Sequence, residues 1–315
     1  MSKYIGRLVE IGIAKESSRG AGANPAIWLP KVELSVADKT EDARDEASIG
    51  ALEDSLGKDV VEKYAGGSIR GQLRSDFIGY ILLNMLGAVN TSGSSTYTHA
   101  FSLSHTNTHQ SLSMDIKDPN SYDRYKLAML DSMSIESELG DYVMFESEFI
   151  SKVGQAFTEQ TPSYSDEGRF TKEHVKVKVA NDIASLSGAS VLSLKKVAVT
   201  ISKNLIRDSA LGTVQPEDIL NRQFSVEGEI QLNLTDDTWR DYMLNGSHKA
   251  MEIKLDNGTQ SLTIQMPRVD FSGWEPDRAN DEIVTQTINF RANRDLANDL
   301  DSISTCSLVN TKASY

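Results

Sequence analysis

Residues 224–237 read FSVEGEIQLNLTDD. Phe224, Val226, Gly228, Ile230, Leu232 and Leu234 alternate with polar residues. Period-two alternation marks a strand with one face buried and the other in water. Asp236 or Asp237 then offers an N-cap for a short helix carrying Trp239, Tyr242 and Met243, which Gly246 ends. The same order of signals stands earlier. Residues 67–76 read GSIRGQLRSD. Ser75 or Asp76 can cap a helix with Phe77, Ile78, Ile81, Leu82 and Met85 on one face, and Gly87 ends it. Gly67, Ile69, Leu73 and Asp76 match Gly228, Ile230, Leu234 and Asp237 without a gap, as do Leu83-Asn84 and Leu244-Asn245.

Other matches fall in the same order. Lys31-Val-Glu-Leu resembles Lys196-Val-Ala-Val, and Asp45 to Gly50 resembles Asp208 to Gly212. Residues 110–116, QSLSMDI, resemble residues 260–266, QSLTIQM. Aligning these last two requires one insertion, taken up by a Ser/Thr-rich loop from Ala88 to Thr98. Val143 and Phe149 match Val284 and Phe290. The order predicts two copies of one strand-rich unit, each with a helix after its central strand pair. Two like units in one chain suggest a ring in which each subunit fills two places.

The remaining strands read the same way. Val32, Leu34 and Val36 alternate, as do Val175, Val177 and Val179, and Val197, Val199 and Ile201. Asp256-Asn257-Gly258 is a hairpin turn between two such runs. Sheets with one solvated face are antiparallel. Ala37 to Asp59, rich in Asp, Glu, Ala and Gly, reads as a long loop, and Ala51 to Tyr64 as a weak third helix overlapping it. Val153 to Gly168 reads as a linker, and the polar segment after Asp295 as a tail ordered in part at most.

The chain has 315 residues with a net charge of −13. A protein that gains affinity by neutralising phosphates is basic, so sequence-independent nucleic-acid binding is disfavoured. An acidic surface instead lets DNA pass without sticking. The single cysteine, Cys306, excludes an intramolecular disulfide framework. The first residues are too polar for a secretory signal, and no apolar run is long enough for a membrane helix. Folding in a reducing cytosol is expected.

The chemical motifs lead away from catalysis. No G-x-S-x-G elbow or P-loop is present. Gly20-Ala-Gly22 starts like a dinucleotide fingerprint, but Pro25 and Pro30 follow where a helix is required. His99, His105 and His109 lack a carboxylate or Cys at ligand spacing and read as a hydrogen-bonded hairpin rather than a metal site. Asp236-Asp237 and Asp281-Glu282 are the acidic pairs a glycosidase would need, and cap chemistry explains the first. Cys306 has no evident base. Lys195-Lys196 is too small a basic cluster for nucleic acid, and Trp239 and Trp274 read as core or interface aromatics. No catalytic, cofactor-binding or metal-ligating residue is expected.

The ordered motifs resemble a known family. Ala47-Ser-Ile-Gly50, Glu62-Lys-Tyr64-Ala-Gly-Gly67, Asp76-Phe-Ile-Gly79, His99-Ala-Phe101 and Gln110-Ser-Leu112 resemble the tail tube (major tail) proteins of long-tailed bacteriophages. Gln215-Pro-Glu-Asp-Ile219, Phe224-Ser-Val-Glu-Gly228, Met251-Glu-Ile253 and Pro267-Arg-Val-Asp-Phe271 look like their continuation. The resemblance implies a mainly β fold: two antiparallel β-sandwich or barrel-like units in tandem, each with a flanking α-helix. The expected units are residues 1–155 and 156–295, with a polar tail at 296–315. It implies a structural virion protein, made in the host cytoplasm, whose rings stack into a hollow tube that delivers DNA without binding it specifically. A duplicated member implies a trimer with pseudo-sixfold symmetry in preference to a hexamer. Tape measure, tail terminator and baseplate proteins are implied partners, and no membrane is. The family's stacking loop maps onto Ala37 to Asp59, with Asp38, Glu41, Asp42, Arg44, Asp45, Glu46, Ile49, Leu52 and Asp54 as candidate contacts. Two other readings stand beside this one. A glycan- or receptor-binding β-sandwich of a virion would cluster surface aromatics on one face, and a glycosidase would place two carboxylates across a cleft.

Overall fold

The computed structural model describes residues 3–50, 52–165 and 168–315. In chain order the strands are β1 (Glu10–Lys15), β2 (Ile27–Leu29), β3 (Lys31–Asp45) and β4 (Gly57–Gln72), followed by helix α1 (Ile78–Leu86). Next come β5 (Gly87–Gly93), β6 (Tyr97–Leu103), β7 (Leu112–Asp118), β8 (Ser121–Glu138), β9 (Met144–Ser151) and the short β10 (Gln155–Ala156). The second half contains β11 (Val175–Ala180), β12 (Leu194–Ser202), β13 (Ile206–Asp208), β14 (Asp218–Leu220) and β15 (Ser225–Asn233), then helix α2 (Thr238–Leu244). It ends with β16 (His248–Asp256), β17 (Ser261–Asp277), β18 (Thr285–Asn293) and β19 (Thr305–Asn310). The fold is mainly β, antiparallel and sandwich-like, as the alternation predicts.

One long sheet organises it. Its order is β3-β4-β9-β8 from the first half, then β12-β15-β18-β17 from the second. The two quartets share their registers. Gly67 lies opposite Phe149 and Gly228 opposite Phe290. The Leu73 amide donates to Val143 O at 2.8 Å, and the Leu234 amide to Val284 O at 2.9 Å. Bulges fall at like places: between Leu130 and Ser132 in one quartet and between Phe271 and Gly273 in the other. A second pair falls between Lys31 and Glu33 and between Leu194 and Lys196. A Cβ on Gly67 would sit 1.7 Å from Ser35 O, and one on Gly228 2.3 Å from Ala198 O. Both glycines are therefore required by close backbone approach.

These registers correct two of the sequence matches and one loop reading. Lys31 falls opposite the bulge that Leu194 occupies in the other half, so its counterpart is Leu194 and not Lys196. QSLSMDI lies mostly on β7, whereas QSLTIQM opens β17, and β7 holds the place that β16 holds in the second half. Their likeness is that of any amphipathic strand. The stretch Ala88 to Thr98 is no loop; it forms most of the β5–β6 hairpin.

A second layer covers the sheet. In the first half the N-terminal part of β8 pairs with β7, β7 with β1, and β1 with β2. In the second half the N-terminal part of β17 pairs with β16, and β16 with β11. One hydrophobic core runs between the layers through both halves, with Phe77, Phe145, Phe149 and Phe290 fully buried. Each such side chain contributes roughly 1.5–3 kcal/mol on leaving water. Every residue of α1 is buried, and Gly87 ends it at φ 93°. Phe77, not Ser75 or Asp76, stands at its N-cap. Only Trp239 of α2 is buried, and Asp236 Oδ1 accepts the Thr238 amide at 3.0 Å in front of it.

The tail is more ordered than its polarity suggests. β19 pairs with β17 on one side and with β6 on the other, so it joins the two halves. Cys306 and Leu308 are buried in it, and the Tyr315 hydroxyl donates to Ser75 O at 3.0 Å beside α1. The expected linker is fastened to the first half. The Arg124 guanidinium stacks 3.7 Å over the Phe157 ring, and the Tyr164 hydroxyl donates to Glu10 at 3.1 Å.

Candidate functional site

The eight-stranded sheet ends in two unpaired edges among the described residues. β3 pairs only with β4, and the C-terminal part of β17 pairs only with β18. Backbone direction along each edge follows from the ladder, because hydrogen-bonding alternates residue by residue in antiparallel pairs. The Leu73–Val143 bond makes Ile69 and Gly67 face β9, so Leu34, Val36 and Asp38 turn their N–H and C=O groups to the open side of β3. The Leu234–Val284 bond likewise leaves Trp274, Pro276 and Arg278 turned to the open side of β17. Pro276 has no N–H to offer there, which blunts the edge of a lone subunit.

The middle of the sheet is a closed seam between the halves, β8 against β12. Val199 lies opposite Ile135 and Ile201 opposite Met133, all four buried. On the other face Lys196 Nζ meets Glu136 at 2.7 Å and Glu138 and Glu229 at 3.0 Å. These carboxylates hold the lysine above the usual lysine range. Sequence reasoning treated Lys196 as half of a small basic cluster. Nothing in its local sequence reveals that the two flanking strands, β8 and β15, bring three acids to it.

That second face is polar along its whole width. It carries Glu33, Glu136, Glu138, Glu146, Glu148, Glu227, Glu229, Glu275 and Asp277, against Lys39, Arg70, Lys196 and Arg291. Ser68, Ser132, Ser134, Thr200 and Thr287 fill the positions between. The opposite face carries the aromatic and aliphatic core, so this is a solvated acidic wall backed by a rigid interior.

Two hairpin arms leave the sheet. The first is the outer part of β3 and β4, with Ala43 opposite Asp59 and Asp45 opposite Gly57. The second is β13–β14, with Ile206 opposite Leu220 and Asp208 opposite Asp218. Leu56 N donates to Asp45 O at 2.8 Å, and Glu217 N to Asp208 O at 2.8 Å. The second arm lies against the first half. Arg19 Nε donates to Asp218 at 2.9 Å, and Arg207 Nε to Glu62 at 3.0 Å while its guanidinium lies 3.8 Å over Tyr64.

The candidate stacking residues all fall on the first arm. The long-loop and helix readings of Ala37 to Tyr64 are both replaced by a two-stranded ribbon; Ala51 itself lies outside the described residues. Asp38 accepts the Gly154 amide at 3.1 Å, Glu41 pairs with Arg207, and Asp42 pairs with Lys58 at 2.7 Å. Asp45 accepts the Ala47 amide at 3.0 Å, and Arg44 lies opposite Lys58. Glu46, Ile49, Leu52 and Asp54 lie at the exposed tip, where Ile49 is 70% and Leu52 104% exposed.

The other candidates are held apart. His99 bonds Thr91 at 2.8 Å and Lys312 O at 2.9 Å, His109 bonds Ser104 O at 2.8 Å, and His105 lies 3.2 Å from Asp301. Burial lowers the first two below the usual histidine range. Among the described residues no three ligating side chains group together. Burial pushes the Cys306 thiol up to about 12.

No curated protein matches the chain. A family profile described as phage tail tube protein matches residues 6–292. Nearly the whole chain is covered, both quartets of the sheet included, and the chain belongs to the phage tail tube protein family.

Proposed function

We propose that this structural tail protein is a tandem tube subunit, residues 1–155 and 156–295 each supplying one unit, with the segment from 296 to 315 binding them together. Three subunits form a ring with pseudo-sixfold symmetry, and rings stack into the tube through which DNA leaves the virion. The observation that carries this reading is the shared register of the two quartets, each with its glycine, its bulges and its helix at the same places. The acidic face lines the lumen and repels the DNA backbone, so that DNA slides rather than binds. The arms make the contacts between rings. Asp38, Glu41, Asp42, Arg44, Asp45, Glu46, Ile49, Leu52 and Asp54 line the first arm, whose apolar tip is costly to leave in water. Tape measure, terminator and baseplate proteins meet the tube at its interior and ends, after synthesis in the host cytoplasm.

Electron microscopy of the purified protein across a concentration series, with solution mass measured alongside, tests this. Hollow tubes whose rings contain three chains are expected. A monomer at every concentration, or a closed oligomer that never stacks, counts against it.

A further inference from the structure

The internal seam predicts the external one. If the two quartets are equivalent, β12 corresponds to β3 and β8 to β17. The place of β12 against β8 must then be filled, on the far side of β17, by β3 of another copy. We propose that the open edge of β3 in one subunit pairs antiparallel with the open edge of β17 in the next. Leu34 lies opposite Arg278, Val36 opposite Pro276 and Asp38 opposite Trp274. This inference rests on the ring reading above and deepens it by naming the strands and their register.

The register comes from the internal seam. There Val199 lies opposite Ile135. Val199 is also opposite Gly228, as Val36 is opposite Gly67, so Val36 stands where Val199 does. Ile135 lies beyond the bulge after Leu130, and Pro276 holds that place beyond the bulge after Phe271. The backbone agrees independently. The groups that point outward on β3 belong to Leu34, Val36 and Asp38, and those on β17 to Trp274, Pro276 and Arg278, which are the residues this register makes hydrogen-bonded partners.

Side chains agree as well. Leu34, Val36 and Trp274 are only half-buried in the lone subunit and would be covered on the core face. On the polar face Lys39 comes beside Glu275. The external seam lacks the Lys196 clasp, because Glu33 stands at that position and already faces Arg70 at 3.7 Å. It also lacks one ladder bond at Pro276. The two seams are thus alike in geometry and unequal in strength, so subunits stay separate until rings are called for.

Paired cysteines test the register. Ser35 and Asp277 are exposed, and the proposal makes them a non-hydrogen-bonded pair. Such a pair has Cα atoms about 4.5 Å apart, inside the disulfide range of about 4.4–6.8 Å. Ser35→Cys with Asp277→Cys is expected to cross-link between chains under mild oxidation, in a ladder that ends at three. Ala37→Cys with Asp277→Cys is the control on the same face. Its diagonal separation of about 7–8 Å should make it cross-link roughly tenfold more slowly. Cross-linking of the control in preference to the first pair, in particles that still form tubes, overturns the register while leaving the ring reading intact. Failure of the unsubstituted protein to form any assembly overturns both.

Discussion

The two arms are one hairpin in two postures. Their strands pair in the same register, and their first turn bonds are the same. Yet the outer end of β3 and β4 reaches into solvent, while β13–β14 lies against the first half, the base of the first arm included. The difference lies at the hinge and the landing site. Asn204 adopts φ 50°, the Leu205 amide donates to Asp131 Oδ1 at 2.7 Å, and Ile219 packs into a small core with Leu127, Met129 and Leu205. The first arm has only a bulge between Glu41 and Asp42 at that point. Within one chain, the first half supplies the surface that folds the second arm down. The base of the first arm meets the second arm through Glu41, Glu62, Lys63 and Tyr64, but its outer end meets no such surface among the described residues, so pairing is set by register and posture by what lies beside it.

The comparison breaks most severely at the landing site. Ile219 is fully buried, so Ile219→Ala should cost about 2–5 kcal/mol by removing apolar contacts and leaving a cavity. Urea unfolding measures the loss. Limited proteolysis should then cut within 205–223 faster than in the unsubstituted protein; an unchanged rate would mean that the arm is held by its ion pairs and not by its core.

Next comes the hinge lysine. Lys203 is buried, and its Nζ donates to Asn84 O at 2.8 Å and to Asn84 Oδ1 at 3.0 Å, close to the C-terminal end of α1. Burial, followed by the charge of Arg19, holds its pKa well below the ordinary lysine value of 10.5. The unfolded chain therefore keeps a proton that the folded chain gives up. Stability should rise with pH through the window that ends near 10.5, and fall as pH drops through it. Lys203→Met removes that slope and leaves the Asn84 carbonyl without its donor, at a cost of about 1–3 kcal/mol. Unfolding free energy measured at several pH values checks both; a slope that persists in the variant assigns it to another group.

Arg207→Ala should be milder. It loses the part-buried bonds to Glu62, the more exposed one to Glu41 and the stacking on Tyr64, for a cost of about 1 kcal/mol, the upper end of what surface ion pairs contribute. A double-mutant cycle with Glu62→Gln isolates the pair; coupling above that value would make the second arm's docking electrostatic.

The sequence shows the sheets and helices well because they have a buried face. Phe224 to Leu234 alternates since every second residue meets the core, and Gly87 stops α1 as its position predicts. The Asp45 and Asp208 match, slight as text, marks the same turn in both arms. The first arm is read wrongly for the opposite reason. Its outer ribbon has no buried face among the described residues, so Asp42, Ala43, Arg44 and Asp45 show no period. β19 is short and sits among polar residues, so its buried Cys306 and Leu308 do not stand out. Both open edges are backbone features, and side-chain patterns do not report them.

The smallest effect on the subunit should be the largest on the tube. Ile49 and Leu52 touch little in the isolated chain, so Ile49→Ser with Leu52→Ser should change its unfolding free energy by no more than about 0.5 kcal/mol. The same change removes the apolar tip of the first arm. If that tip lands on a neighbouring ring, the variant stays folded and forms rings but not tubes, by sedimentation and microscopy. Leu211→Ser at the exposed tip of the folded arm is the matched control, with Leu211 105% exposed. Tubes from the first variant together with their loss in the second would reverse the assignment: the second arm would be the stacking element, and the exposed end of the first a feature of the lone subunit.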